Sequence, residues 1–213
     1  MPVRKVSGRG RNMIGLFPSL KLGRMVAFES LIEQDYLYVL DYETEVTWFE
    51  EQPLTISYAW QEKSYEYTPD FHVTRPTGHE LVECKPTVFV QKTENQRKFA
   101  AAQEWCQQQG WSFSIVTDQA LRKGYRLANI KLLTRYARFK LSPELLEQAQ
   151  AYLQNKTGPI PLLEAGRYLV PEHPAQGMAA LFHMAFYQRI GIDLDDHAIT
   201  EQDLIWSMKE PTG

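Results

Sequence analysis

An α/β fold is the class the sequence predicts: a mixed sheet flanked by helices, with a small helical domain behind it. Three observations carry this. Apolar residues recur at helical steps before residue 40 and again between 93 and 110. Between those stretches, short alternating runs follow one another through turns, the pattern of strands. Beyond Leu127 the alternation gives way to helical segments broken by proline and glycine.

Residues 1–22 read as a mostly irregular basic arm, because Ser7-Gly8-Arg9-Gly10 discourages regular structure. Arg4, Lys5, Arg9, Arg11, Lys21 and Arg24 all precede the first acidic residue, Glu29. Such an arm either lies along a phosphate backbone, with Arg9, Arg11, Lys21 and Arg24 as contacts, or is a solvated terminus. From Arg24 to about Leu40 the spacing predicts a helix with Met25, Phe28, Ile32, Tyr36 and Val39 as its apolar stripe. Glu29 falls inside that stripe, where an ionised carboxylate is costly unless a cation or metal meets it. Either it snorkels to water from the stripe's edge or it is a metal-site carboxylate; Glu33 competes for that role from farther round the helix.

Strands are expected over Val46–Glu50, Thr55–Trp60, Tyr65–Val73 and Glu80–Lys85, joined mainly by hairpins. The last two meet at a turn supplied by Pro76 and Gly78. Alternation puts Glu83 and Lys85 on one face and Cys84 on the other, and the hairpin returns Asp70 alongside. Two carboxylates can hold Mg²⁺, which prefers hard oxygen ligands, and a neighbouring ammonium can orient a water for attack. Read blandly, the same residues are a solvated strand face and a turn entry.

A second helix is expected from Thr93, with Thr93 and Gln96 as a capping box and Gly110 as the stop. Cys106 belongs to its core face. Trp111–Val116 extends the sheet beside the Glu83–Lys85 strand. The catalytic-type domain is thereby bounded at 23–127 and a C-terminal domain at 128–213. Lys131–Lys140 reads as a basic connection, Ser142-Pro143 opens a helix, and two further helices end near Leu169 and Arg189. Ile192–Leu194 and Ile199–Trp206 are expected to pair as a wing, giving a winged-helix-like domain. Such a domain binds DNA through a recognition helix or binds protein; the scarcity of cations before Arg189 favours protein.

Composition narrows the field. The net charge of −3 argues against binding nucleic acid by bulk attraction, so any DNA contact needs local basic patches or a partner. No run is long and apolar enough to span a membrane, and no secretory signal is expected. Cys84 and Cys106 lack metal-ligand spacing and indicate a reducing cytoplasm. The histidines show no ligand spacing either.

Asp70, Glu83 and Lys85 resemble the PD-(D/E)xK nuclease signature, and the element order resembles the restriction-endonuclease-like core. With Phe28-Glu29-Ser30, Glu51-Gln52-Pro53, Thr68-Pro69-Asp70, Val82–Pro86 and Trp111–Thr117, nearly the whole chain resembles the TnsA family. These are endonuclease subunits of heteromeric cut-and-paste transposases, including those of CRISPR-associated transposons. The resemblance implies Glu29, Asp70 and Glu83 as carboxylates for Mg²⁺, with Mn²⁺ as a substitute. It further implies the Cys84 carbonyl as a possible ligand and Lys85 as the water-positioning residue. It also implies cleavage of the 5′ strands at transposon-end DNA, beside a DDE transposase and an AAA+ ATPase regulator. A stand-alone restriction or junction-resolving nuclease and a non-catalytic assembly factor are the alternatives left open.

Overall fold

Strand pairing and a helix cap, rather than helical periodicity, shape the start of the described chain. The computed structural model describes residues 14–208. β1 (Gly15–Pro18) and β2 (Met25–Phe28) form an antiparallel hairpin, so a strand occupies part of the expected irregular arm and of the expected helix. Helix α1 (Leu31–Tyr42) begins only after Ser30, whose hydroxyl accepts from Glu33 N. Met25 and Phe28 fit a helical stripe by spacing, but Val26 and Phe28 fit one buried strand face while Met25 is exposed, and pairing with β1 decides the outcome.

The chain divides after Leu121 into two units. In the first, β3 (Trp48–Glu51) precedes a separate hairpin of β4 (Ile56–Trp60) and β5 (Lys63–Tyr67). Then come β6 (Phe71–Arg75), β7 (Gly78–Lys85), the short α2 (Thr87–Val90), α3 (Thr93–Gln109), β8 (Ser112–Thr117) and α4 (Asp118–Leu121). The main sheet has the order β3-β6-β7-β8, antiparallel except for β7 and β8. A parallel pair needs a crossover, and α3 is that crossover.

Each face of the sheet buries its own cluster. Phe49, Phe71, Val73, Val82 and Cys84 pack with Ile32, Tyr36, Leu37 and Leu40 of α1. Leu81 packs with Ile56 and Tyr67 of the hairpin and Ala102 and Cys106 of α3. Because Leu81 and Val82 are neighbours in sequence, β7 must be apolar on both sides, as a central strand requires. Gly110 ends α3 in the left-handed conformation, φ 70°. The expected Thr93–Gln96 capping box does not form: Lys92 is the N-cap, and Asn95 and Gln96 instead donate to Phe89 O and Val90 O of α2.

The second unit holds α5 (Arg126–Ala137), α6 (Pro143–Gln154), β9 (Ile160–Pro161), α7 (Leu162–Leu169), α8 (Pro174–Phe186), β10 (Ile190–Ile192) and β11 (Leu204–Ser207). The stretch expected as a basic connection is largely helix, since Leu127, Ile130, Leu133 and Ala137 give α5 a buried face. The expected two-stranded wing becomes a sheet of order β10-β11-β9, because Ile160 and Pro161 add a strand too short to read from periodicity. The fold is thus mixed α/β, with a restriction-endonuclease-like core of mixed sheet and flanking helices. Among the described residues no helix is long and apolar enough to cross a membrane.

Helices α7 and α8 meet backbone to backbone at Gly166 and Gly177. A Cβ on Gly177 would lie 2.3 Å from Gly166 O. Gly177→Ala is therefore expected to lose about 2 kcal/mol in urea unfolding, overpacking outweighing the helix-propensity gain of about 1 kcal/mol. At Gly158, where an added Cβ meets open space, the same change is expected to stay within about 0.5 kcal/mol.

Candidate active site

Asp70, Glu83 and Lys85 meet because β6 and β7 are antiparallel neighbours. Phe71 stands opposite Val82, which sets Asp70 beside Glu83 at the end of the ladder. Two backbone groups then fix Asp70. Cys84 N donates to Asp70 Oδ2 at 2.7 Å, and Gln52 N donates to Asp70 O at 2.8 Å. Gln52 holds this position in the left-handed region, φ 46°, an uncommon conformation for a residue with a side chain.

Glu83 is only 3 % exposed. Tyr67 donates its hydroxyl to Glu83 Oε2 at 2.7 Å, and Lys85 Nζ lies 2.5 Å from Oε1. Strand alternation explains the pairing: Glu83 and Lys85 share a face, while Cys84 packs into the α1-side cluster. Burial opposes the charge on Lys85. The Glu83 charge and hydrogen bond, reinforced by Asp70 and Glu33, outweigh burial and raise the ammonium's pKa. Lys85 is therefore a cation at neutral pH. Asp70 is pushed well above the usual carboxylate range, first by burial and then by the charges of Glu83 and Glu33, against the Cys84 N–H and Lys85.

The α1 carboxylate in this electrostatic group is Glu33. It is buried, and its pKa is raised chiefly by burial. Its oxygens accept from Glu29 N at 2.8 Å and Ser30 Oγ at 2.7 Å while its N–H donates to Ser30 Oγ, a variant of the capping box that reaches the backbone one residue before the cap. Glu29, expected on the helix, lies just before it. Its charge bears on Glu33, and its Oε1 is buried with no hydrogen-bond partner among the described residues. The motif Ser30-x-x-Glu33 carries the signal that sequence reasoning passed over. It starts the helix after Ser30 and turns Glu33 back toward the site.

The expected phosphate contacts fare differently. Arg9 and Arg11 lie outside the described residues. Lys21 Nζ donates to Glu43 O and Val46 O, and burial lowers its pKa to about 8. Arg24 forms a two-pronged pair with Glu51 at 2.9 and 2.7 Å. Both cations serve internal contacts that run across more than twenty residues of sequence, beyond the reach of local pattern.

Whether the site suits a divalent cation can be judged from its donors. All are hard oxygens, and among the described residues Glu29 Oε1 and Gln52 Oε1 are both buried without hydrogen-bond partners. A buried acceptor left unpaired is costly, and a cation or its waters would relieve it. Among the described residues no three His, Cys, Asp or Glu side chains are already gathered in coordinating geometry. Mg²⁺ keeps several waters and needs only one or two carboxylates plus a substrate phosphate, so the donor set fits that class of ion.

Residues 43–118 match the family model described as TnsA-like endonuclease N terminal. That segment contains Asp70, Glu83 and Lys85 and runs from before β3 to the start of α4; α1 precedes it. No curated protein matches the chain.

The raised Asp70 and Glu33 pKa values carry a stability sign. Native protein holds protons that the unfolded chain releases, so without metal its stability falls as pH rises above about 4, the unfolded carboxylate pKa, and on through the folded ones. Mg²⁺ is expected to raise Tm more at pH 8 than at pH 5. Asp70→Asn is expected to remove most of that response and to be no less stable than wild type at pH 8 in EDTA. An undiminished Mg²⁺ response in Asp70→Asn would place the ion elsewhere.

Proposed function

We propose, from the premise that the chain carries a TnsA-like endonuclease N-terminal domain, that it is a metal-dependent DNA endonuclease of cut-and-paste transposition. It hydrolyses the 5′ strands at transposon ends beside a DDE transposase that acts on the 3′ strands. The observation that carries the reading is the convergence of Asp70, Glu83 and Lys85 at the end of β7, inside the matched segment.

Asp70 and Glu83, with Glu33 from the start of α1 or Glu29 from just before it and the Cys84 carbonyl, would hold Mg²⁺ or Mn²⁺, which supplies charge neutralisation at the scissile phosphate and a more acidic attacking water. The side chains have distinct tasks. Asp70 is immobilised by Cys84 N and Gln52 N, so its carboxylate approaches the substrate in one orientation. Tyr67 occupies Glu83 Oε2 and thereby fixes the direction of Oε1. Lys85, held on Oε1 as an ammonium, orients the attacking water and faces the negative charge that builds on the phosphate.

The second unit is assigned to partner docking, with the AAA+ ATPase regulator as its partner. Helix α8 contains no Lys or Arg, and the segment between β10 and β11 carries Asp193, Asp195, Asp196, Glu201 and Asp203. Both features disfavour phosphate. Free buried Cys84 and Cys106 accord with work on cytoplasmic DNA, and a CRISPR-associated element belongs to the same proposal.

The test is cleavage of end-containing DNA with the transposase and Mg²⁺. Lys85→Ala is expected to lower 5′-strand cutting by about 100-fold or more while 3′ cuts persist. Efficient site-specific double-strand cleavage by this chain alone would instead mark a stand-alone nuclease. Between the two α1-region carboxylates, Glu33→Gln is expected to cost more than Glu29→Gln, by about tenfold or more in rate. The reverse order would return the third carboxylate role to Glu29.

A further inference from the structure

One face of the β4–β5 hairpin is a ladder of aromatic rings that starts at the candidate catalytic residues and ends in solvent. Cross-strand pairs share a face, and the pairs here are Ile56 with Tyr67, Tyr58 with Tyr65, and Trp60 with Lys63. At the base, Tyr67 is buried and bonded to Glu83. In the middle, Tyr58 and Tyr65 are stacked, centroids 5.5 Å apart and planes 21° apart. At the tip, Trp60 is 40 % exposed and carries the Arg97 guanidinium of α3 5.0 Å from its ring centroid.

Between this hairpin and α3 lies an open groove of about 710 Å³. Its α3 wall offers Gln96, Arg97, Glu104 and Trp105, and its hairpin wall offers Tyr58 and Trp60. Flat rings, a guanidinium against one of them, and an amide and a carboxylate at the side form a chemistry suited to the ring faces and amino edges of nucleobases rather than to phosphate. A groove built for a protein segment would present aliphatic anchor pockets, and here the aliphatic lining is limited to Ile56 and small alanines. Both walls also join the candidate site by short connections: β5 leads into Asp70, and α3 follows Lys85 through α2.

We infer that this groove is a nucleobase-stacking subsite, which takes an unpaired base of the DNA strand lying across the candidate active site, with Trp60 as the platform and Arg97 as its cation. The inference rests on the nuclease reading for its choice of DNA. It adds a preference for unpaired over fully paired strands that the catalytic residues alone do not supply.

The test is fluorescence anisotropy of the full chain, at low salt and in EDTA, with a labelled twelve-nucleotide single strand and with the same sequence as a blunt duplex. The single strand is expected to bind more tightly than the duplex. Trp60→Ala is expected to weaken it about tenfold, Trp60→Phe to retain most of the affinity, and Arg97→Gln to lower it. Trp60 is exposed at a hairpin tip, so its loss leaves the buried clusters intact, which circular dichroism checks directly. Equal single-strand affinity in Trp60→Ala, or no single-strand binding by wild type, overturns the subsite. Neither result bears on the nuclease reading, which is decided by the Lys85→Ala cleavage assay with the transposase.

Discussion

The hydrogen bond from Cys84 N to Asp70 Oδ2 ties the entry of one strand to the exit of its neighbour. Asp70 belongs to neither strand; it occupies the bend before β6, where a side chain would otherwise be free to swing. Anchoring it on β7 makes its distance to Glu83 a property of the sheet rather than of a loop. The sheet in turn is held by apolar burial on both faces of β7, through Val82 and Cys84 on one side and Leu81 on the other. Hydrophobic packing thus sets the geometry, and the polar groups inherit it.

That inheritance has an electrostatic cost. Asp70, Glu83 and Glu33 repel one another in a partly dehydrated setting; the Cys84 N–H and Lys85 oppose this at Asp70, and the Glu29 N–H and Ser30 oppose it at Glu33. A fold that gathers like charges has another use for them, because sites that shift pKa values in this way cluster where chemistry is done. Glu83 has both oxygens engaged and Glu33 is engaged by its own helix cap, whereas Glu29 keeps a buried oxygen unpaired. Tyr67 extends the network outward, since the residue that fixes Glu83 is also the base of the exposed aromatic ladder.

Short-range pattern made much of this legible from sequence. The Pro76–Gly78 turn and strand alternation brought Asp70, Glu83 and Lys85 together, and the observed ladder agrees. Cys106 as a core residue and Gly110 as a helix stop were legible for the same reason: each depends on its own neighbours. The helix start misleads because Phe28 lies a helical step from Met25 and a strand step from Val26, and the Ser30–Glu33 box distinguishes the two. What was illegible was long-range: the capture of Lys21 by carbonyls near residue 45, the Arg24–Glu51 pair, and a two-residue strand that completes the second unit's sheet.

The arrangement proposed above puts one divalent ion at the end of β7, between the Asp70 bend and the start of α1. Iron-mediated cleavage of the polypeptide reads this directly: Fe²⁺ bound in place of Mg²⁺ reduces added hydrogen peroxide to hydroxide and hydroxyl radical, ascorbate returns the Fe³⁺ to Fe²⁺, and the radical cuts the nearest backbone. The account predicts cuts beside Asp70 and Cys84, suppressed by excess Mg²⁺. Cuts confined to the acidic segment around Asp193–Asp203, with none near Asp70, would contradict it.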